Sequence, residues 1–328
     1  MATYVGMDVH KKNCQAAAMD EEGTILKEEK VENSLEGFEP FFRDIEDAEV
    51  VIESCYSWRP TYERLKDLNL DVTMAHPKRT EAVTKARKKT DSVDSKTLAH
   101  LLRADMVPES YIPPKEVRKL RDLVRMRTKL VRDRSRLKAR VRAELEKNRI
   151  RVDSGKDIFT KKRKEWLREL GIYTVDQYLP VIDTLDERIK VVSKRVKEEA
   201  GENQDAMLLT SIYGVSYFTA LLIVSEIGEI DRFPDPEKLC AYFGLVPKVH
   251  QSGETVKYGS ITKEGSGLVR WALVQAVFTH IKSDSKLTRY YKKVKKKKGS
   301  GKAATATARK MLTIMYFMLK RGEKFRPF

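Results

Sequence analysis

The sequence predicts an α/β domain at the N-terminus, followed by a long basic helical segment and a mostly helical C-terminal domain. Three observations carry this. Strand-like apolar runs fall within the first 110 residues, first in immediate succession and then alternating with helical patterns. Lys115 to Arg149 contains neither Gly nor Pro, and Leu123, Leu130 and Leu137 recur at a spacing of seven. Charge is segregated. Residues 1–110 hold 16 Lys/Arg against 22 Asp/Glu, a net −6, while residues 115–151 hold 16 against 5, a net +11. Residues 152–328 add a further +12 from 33 basic and 21 acidic residues. A basic surface kept only for solubility explains a net charge of +17 but not an acidic head on basic modules. Segregation points to a catalytic head with polyanion-binding modules behind it.

Thr3 to Asp8 reads as a short buried strand and Cys14 to Met19 as a second. Asp20-Glu21-Glu22-Gly23 then turns the chain into Thr24 to Val31, which gives an antiparallel meander. Ser34 caps a predicted helix to about Asp47, with Leu35, Phe38, Phe41, Phe42 and Ile45 on its apolar side. A strand over Glu49–Ser54, a helix from about Pro60 to Leu68 and a strand over Asp71–Ala75 follow. Lys78 to Lys89 is polar and basic, and a helix then runs from Asp91 to about Ala104. Three antiparallel strands followed by strands alternating with helices is the order of the ribonuclease H-like fold, and it sets Asp8 beside Glu53 at neighbouring strand ends. Pro108 and Pro113-Pro114 mark a boundary.

Beyond it, the gapless helix predicts one arm of an antiparallel coiled coil. Its outer face carries Arg132, Arg134, Arg136, Lys138, Arg140 and Arg142. Few acids stand at pairing distance, so these cations repel one another unless phosphates screen them, and nucleic-acid contact is favoured over a merely solvated face. Helices over Lys156–Leu170 and Leu179–Ala200, split by Gly171 and Pro180, supply the returning arm, and Gly201 opens the last region. There, Tyr213-Gly214-Val215-Ser216 before Ala220-Leu221-Leu222-Ile223 resembles a helix–hairpin–helix, a motif whose Gly-rich turn presents backbone amides to a DNA phosphate. Ser216 replaces the motif's second Gly, and two core helices joined by a tight turn would look the same. Lys263 and the run containing Lys295, Lys296, Lys297 and Lys298 are further phosphate-binding candidates. Gly299 and Gly301 after that run predict a mobile segment rather than a helix.

The chemistry-bearing residues are acidic. Asp91 and Asp94 lie three apart in a stretch free of Gly and Pro, on one face of a helix. Alone the pair is unremarkable in a first helical turn. With Asp8 and Glu53 it makes four carboxylates converging from two strand ends and one helix, a hard, oxygen-only site for Mg²⁺ or Mn²⁺. Five histidines in the chain argue against a His-based site. Cys14, Cys55 and Cys240 are scattered and odd in number. They form neither a zinc pattern nor a disulfide framework, which with the lack of a signal peptide predicts a reducing cytoplasm. No run is long and apolar enough for a membrane span. Ser252 and Ser260 are Gly-neighboured serines expected in loops, with no general base evident beside them in sequence terms.

Taken together, Gly6-Met7-Asp8-Val9-His10-Lys11, Ile52-Glu53-Ser54 and Lys89-Thr90-Asp91-Ser92-Val93-Asp94-Ser95 resemble the DEDD transposases of insertion-sequence family one-ten. So do Gly244-Leu245-Val246-Pro247, Ser252-Gly253 and Gly259-Ser260-Ile261-Thr262-Lys263-Glu264-Gly265. The resemblance spans essentially the whole chain. It implies a RuvC-like nuclease domain over 1–112, a basic helical coiled coil over 113–202 and a transposase domain over 203–328. It implies Asp8, Glu53, Asp91 and Asp94 as the metal ligands and Ser252 as the nucleophile that holds DNA covalently, with Ser260 its rival. It also implies donor and target DNA, a structured bridge RNA as guide, and a dimer or tetramer in which one subunit's serine meets another's metal site, in a prokaryotic cytoplasm at the nucleoid. His250-Gln251-Ser252 departs from relatives that place another polar residue before the serine, and the sequence leaves the role of His250 open. A junction resolvase needs the same acids without the serine domain, and a non-catalytic nucleic-acid-binding protein would use the acids only as helix caps. His100 and Arg103 match the His-x-x-Arg of tyrosine recombinases, but no correctly placed second Arg and Tyr accompany them.

Overall fold

The computed structural model describes residues 2–84, 91–152, 157–252 and 255–327, with the backbone alone at 84, 250–252 and 255–256. The chain forms two compact units, Met1–Ile112 and Pro113–Phe328.

The first unit is mixed α/β. Its elements are β1 (Thr3–Val9), β2 (Asn13–Met19), β3 (Ile25–Glu32), α1 (Leu35–Phe42), β4 (Ala48–Glu53), α2 (Trp58–Asp67), β5 (Asp71–Ala75), α3 (Pro77–Thr84) and α4 (Asp91–Arg103). The strands form one sheet in the order β3-β2-β1-β4-β5. β1, β2 and β3 are antiparallel, whereas β4 and β5 run parallel to β1. Alternation assigns the faces. Val5, Met7, Val50 and Ile52 pack with Phe38, Phe41 and Leu65 from α1 and α2 on one side. Val51 and Ala75 meet Leu98 of α4 on the other. Ser34 caps α1 by accepting from the Gly37 amide at 3.1 Å. The helix expected to reach Asp47 ends at Phe42, because the chain must turn to bring β4 beside β1. Asp47 takes a left-handed φ of 45°, and its carbonyl accepts from the Thr3 amide at 3.1 Å.

The second unit holds α5 (Lys115–Lys147), α6 (Lys161–Glu169), α7 (Tyr173–Glu202), α8 (Gln204–Thr210), α9 (Tyr217–Ile227), α10 (Pro236–Tyr242), β6 (Pro247–Ser252), β7 (Thr255–Ile261), α11 (Gly267–His280) and α12 (Lys286–Arg321). α5 and α7 pack antiparallel. Arg127 meets Ser193, Arg134 meets Asp186 and Glu144 meets Thr174, so one index rises as the other falls. Pro180 was expected to split this second arm, but α7 runs through it. The adjacent Leu179 and Ile182 are fully buried with Val141 and Leu145 of α5. Two such burials at about 1.5–3 kcal/mol each outweigh the roughly 3 kcal/mol cost of an interior proline. Gly201, expected to open the next region, lies inside α7. Val124 of α5 and Val196 of α7 share one core with Leu221, Phe243, Leu273 and Met311.

The C-terminal region is mostly helical, as expected, with one antiparallel hairpin formed by β6 and β7. The lysine run, expected to be a mobile segment, needs correction. Lys292 to Lys298 are helical, in a first arm of α12 anchored by buried Leu287 and Tyr291. Gly299, at φ 79°, reverses the chain after the run instead of unfolding it. The two arms lie side by side, with Lys310 over the Tyr290 ring at 4.9 Å and the Lys286 amide donating to the Pro327 carbonyl at 3.1 Å.

Candidate active site

Gly6 explains how α4 reaches the sheet. A Cβ at this position would lie 2.0 Å from the Ser95 carbonyl oxygen and 2.5 Å from the Ala99 amide, so the α4 backbone rests directly on β1. Asp8, two residues on, projects to the same face. β1 and β4 are paired through Met7 and Ile52, which makes Asp8 and Glu53 the next pair in register, both at the C-terminal ends of parallel strands. Glu53 shares the α4 face with Val51. Asp91 and Asp94 occupy the first turn of α4, where negative charge complements the helix dipole. That turn is tied to β3. Glu28 accepts from Lys96 at 2.7 Å and from the Ser92 hydroxyl, and the Lys96 bond leads in holding the Glu28 carboxyl below its usual range.

Asp8, His10 and Asp91 converge, each offering one ligand atom within 4.8 Å of the others. His10 Nε2 lies 3.3 Å from Asp8 Oδ2 and 3.2 Å from Asp91 Oδ2. Asp8 is the most buried of the three. Burial raises its carboxyl above the ordinary carboxylate range, His10 opposes the rise, and the charges of Asp91 and Asp94 add to it. Three elements, β1, β4 and α4, thus bring four carboxylates to one end of the sheet. Glu53 and Asp94 flank the three-residue group rather than belong to it. The sequence pointed to oxygen donors alone, and the structure adds an imidazole nitrogen beside two of them. His10 was visible inside the Gly6–Lys11 motif, but nothing in its spacing marked it, because it acts from just beyond the end of β1. Its carbonyl is held by Asn33 Nδ2 at 2.9 Å, and buried Asn33 is fixed in turn by Thr61 at 2.8 Å and Arg64 at 2.9 Å. Two carboxylates with one imidazole form a donor set able to hold a divalent metal ion.

Ser252 ends β6 and pairs with Thr255 of β7, so it stands at a hairpin tip rather than in the loop expected for it. Its side chain, that of His250, and residues 253–254 lie outside what is described. Ser260 lies within β7 and is exposed. Much of the surrounding motif serves architecture. A Cβ on Gly244 would meet Glu264 backbone at 2.4 Å, and one on Gly265 would meet the Tyr242 carbonyl at 2.0 Å. Exposed Lys263 takes a left-handed φ of 60° in this tight crossing. Arg270 clasps it by donating to the Phe243 carbonyl at 3.0 Å.

Of the α5 cations, Arg132, Arg136, Arg140 and Arg142 are exposed. Arg136 pairs with Asp133 at 3.3 Å and Arg142 stands 5.2 Å from the Phe159 ring centre. Arg134 is spent on Asp186 at 2.7 Å, and Lys138 lies over the Phe159 ring at 4.7 Å. Lys295, Lys296, Lys297 and Lys298 are exposed on α12. At the α8–α9 turn Gly214 has φ 95°, and a Cβ there would fall 2.7 Å from the Ala276 carbonyl, so this glycine serves packing against α11. Ser216 caps α9 by accepting from the Thr219 amide at 3.2 Å. Arg103 donates to the Glu21 carbonyl at 3.0 Å, which gives the arginine of the His100–Arg103 pattern a structural role. Among the described residues no helix is long and apolar enough to cross a membrane.

Comparison with known proteins agrees with this geometry. Residues 5–148 match the transposase family of the IS110 DEDD domain, and residues 206–292 match the transposase IS116/IS110/IS902 family. The transposase for insertion sequence element IS1111A of Coxiella burnetii is 25% identical, over 98% of this chain and 91% of its own. The transposase for insertion sequence element IS1533 of Leptospira borgpetersenii is 26% identical, over 69% and 70%. The pilin gene-inverting protein of Moraxella bovis is 32% identical over 38% of this chain and 39% of its own. With both domain types in order and relatives aligned over nearly its whole length, the chain belongs to the IS110 family of transposases, enzymes that cut and rejoin DNA.

Proposed function

We propose that this transposase moves an insertion sequence by metal-dependent cleavage at a ribonuclease H-like (RuvC-like) head, with Ser252 as nucleophile. The convergence of Asp8, His10 and Asp91 at the end of β1 carries the reading. Asp8, Glu53, Asp91 and Asp94 would hold Mg²⁺ or Mn²⁺, with His10 as an added nitrogen ligand. A bound divalent ion supplies Lewis-acid stabilisation of charge on a scissile phosphate. The sheet order, with α4 laid against β1 through Gly6, supports the RuvC-like assignment.

At the scissile phosphodiester the serine oxygen bonds to phosphorus as its proton departs, and the bond to the leaving strand oxygen breaks. Cleavage therefore conserves one phosphodiester as a protein–DNA link, which a strand hydroxyl later reverses on a new partner. The position of Ser252 at a hairpin tip suits this role. The exposed cations of α5 and α12 would hold a structured bridge RNA and DNA through their phosphates, in a homo-oligomer with active sites shared between subunits. The assembly would work in the cytoplasm at the nucleoid. The relatives that invert pilin genes favour rejoining chemistry over simple cutting. The test is Mn²⁺ binding by electron paramagnetic resonance, run beside strand cleavage. Asp8→Asn and Asp91→Asn should each lose both while keeping the wild-type circular dichroism. Full cleavage by either variant would sink the metal assignment.

A further inference from the structure

Two adjoining cavities lie where α5 faces α9 and α11. One, of about 610 Å³, is walled by Arg121, Arg125, Lys129 and Arg132 on one side and by Gly265 to Gly267 on the other. The second, of about 380 Å³, is walled by Val131, Phe218, Leu268 and Trp271, with Arg127 and Arg136 at its edge. Thr128, Arg132 and Leu268 line both, so the two adjoin across these residues.

Their chemistries differ. In the first, Arg121 donates to the Ser225 and Glu226 carbonyls at 2.6 and 2.9 Å. Arg125 makes a two-pronged contact with the buried Glu226 carboxylate at 2.9 and 3.0 Å. Those two cations are committed. Lys129 and Arg132 have no hydrogen-bond or ion-pair partner among the described residues, and they face the segment that leads into α11. Uncompensated cations around a cavity attract an anion, and phosphate suits them. In the second cavity Trp271 is 54% exposed although Ala272 and Leu273 beside it are buried. The Arg127 guanidinium lies 4.3 Å over the Phe218 ring. Exposed aromatic surface, an apolar wall and planar cations suit a nucleobase, whose flat face stacks on such groups. A base inside a duplex is already stacked and cannot enter.

We propose that the adjoining cavities hold one unpaired nucleotide of a DNA strand, with its base against Trp271 and Phe218 and its phosphate at Lys129 and Arg132. This rests on the cutting and rejoining of DNA established above, since a strand must leave its duplex to be joined elsewhere. The test uses the full chain with an oligo-dT strand, a blunt DNA duplex and an oligo-rU strand of equal length. Trp271→Leu should weaken oligo-dT binding by about tenfold or more and change duplex affinity by less than about twofold. Trp271→Phe should keep the oligo-dT affinity, because the ring is retained, and lose the tryptophan quenching that oligo-dT produces in the wild type. Lys129→Gln with Arg132→Gln should flatten the salt dependence of oligo-dT binding. Unchanged oligo-dT binding by Trp271→Leu, or an equal loss for duplex, would overturn the site. Tighter, Trp271-dependent binding of oligo-rU would overturn its assignment to DNA. Failure of the wild type to bind any of the three would instead overturn the nucleic-acid function proposed for the chain.

Discussion

Substituting Gly6 by Ala adds one methyl group between β1 and α4, and the consequence can be worked through. The new Cβ would sit 2.0 Å from the Ser95 carbonyl oxygen, whereas real Cβ contacts essentially never fall under 3.0 Å. The obstacle is backbone on both sides, so α4 must retreat by about 1 Å. Ser95 is one residue from Asp94 and about one turn from Asp91, so those carboxylates move with it. Ligand distances at a metal tolerate only about 0.2 Å. Misplacement by 1 Å costs on the order of 100-fold in rate. Gly6→Ala should therefore keep its fold, with a stability loss of about 1–3 kcal/mol from overpacking, and lose about 100-fold in Mg²⁺-dependent strand cleavage. Mn²⁺ affinity should fall about 10- to 100-fold. The control is Leu65→Ala in α2, on the opposite face of the sheet. It should cost about 2–5 kcal/mol yet leave Mn²⁺ affinity intact at temperatures where it stays folded. Wild-type Mn²⁺ affinity and cleavage in Gly6→Ala would refute the reasoning, as would an equal loss of affinity in the Leu65 control.

Other outcomes follow from single contacts. His10→Ala should weaken Mn²⁺ binding more than Mg²⁺ binding, because imidazole suits the softer ion; equal losses measured by calorimetry would count against a nitrogen ligand. Replacing Arg132, Arg136, Arg140 and Arg142 by Gln should reduce the salt slope of nucleic-acid affinity by about 0.7–0.9 for each lost phosphate contact. An unchanged slope would leave them as a solvated face. For Asp186, burial alone would raise the carboxyl, but hydrogen bonds from Arg134 and Lys164 hold it below the usual range. For Lys164, burial opposes, while bonds to Asp183 and Asp186 carry its amine above its ordinary value. A depressed acid stabilises above its unfolded pKa and loses that contribution as pH falls through the folded value. A raised amine stabilises below its unfolded pKa and loses it as pH climbs through the folded one. Asp186→Asn should cost about 1–2 kcal/mol at neutral pH, discounted because the group is one-third exposed. That deficit should shrink below pH of about 4; denaturation midpoints showing a constant deficit across this range would contradict it.

Much of the sheet was legible because its strands are short, apolar and punctuated. β5 matches its expected bounds at Asp71–Ala75, and β4 differs by one residue at each end. Asp8 and Asp91, which the structure brings together, were legible as a pair because they stand at a strand end and a helix start. His10 was not, because its role depends on where the chain turns after β1, which no periodicity encodes. The hairpin around Ser252 was missed as well. His250-Gln251-Ser252 is polar, with no apolar alternation to announce a strand, and Val249 and Tyr258 on the two strands are exposed. The lysine run misled through its glycines. Gly299 and Gly301 looked like solvents of a helix, whereas Leu287 and Tyr291, buried upstream, fix the first arm of α12 before Gly299 turns it. At Gly214 the tight turn was evident, but its packing against α11 is a long-range fact that local sequence does not carry.

The most direct measurement of the proposed mechanism is the fate of an end-labelled DNA strand after incubation with the protein and Mg²⁺, read on a denaturing detergent gel. Serine attack leaves the label attached to protein, whereas attack by water leaves free ends. The wild type should give a detergent-resistant adduct, Ser252→Ala and Asp91→Ala should give none, and a mixture of the two variants should recover part of it if sites are shared between subunits. An adduct that persists in Ser252→Ala but vanishes in Ser260→Ala would move the nucleophile to β7, and free ends alone from the wild type would contradict the covalent mechanism and leave a resolvase-like nuclease in its place.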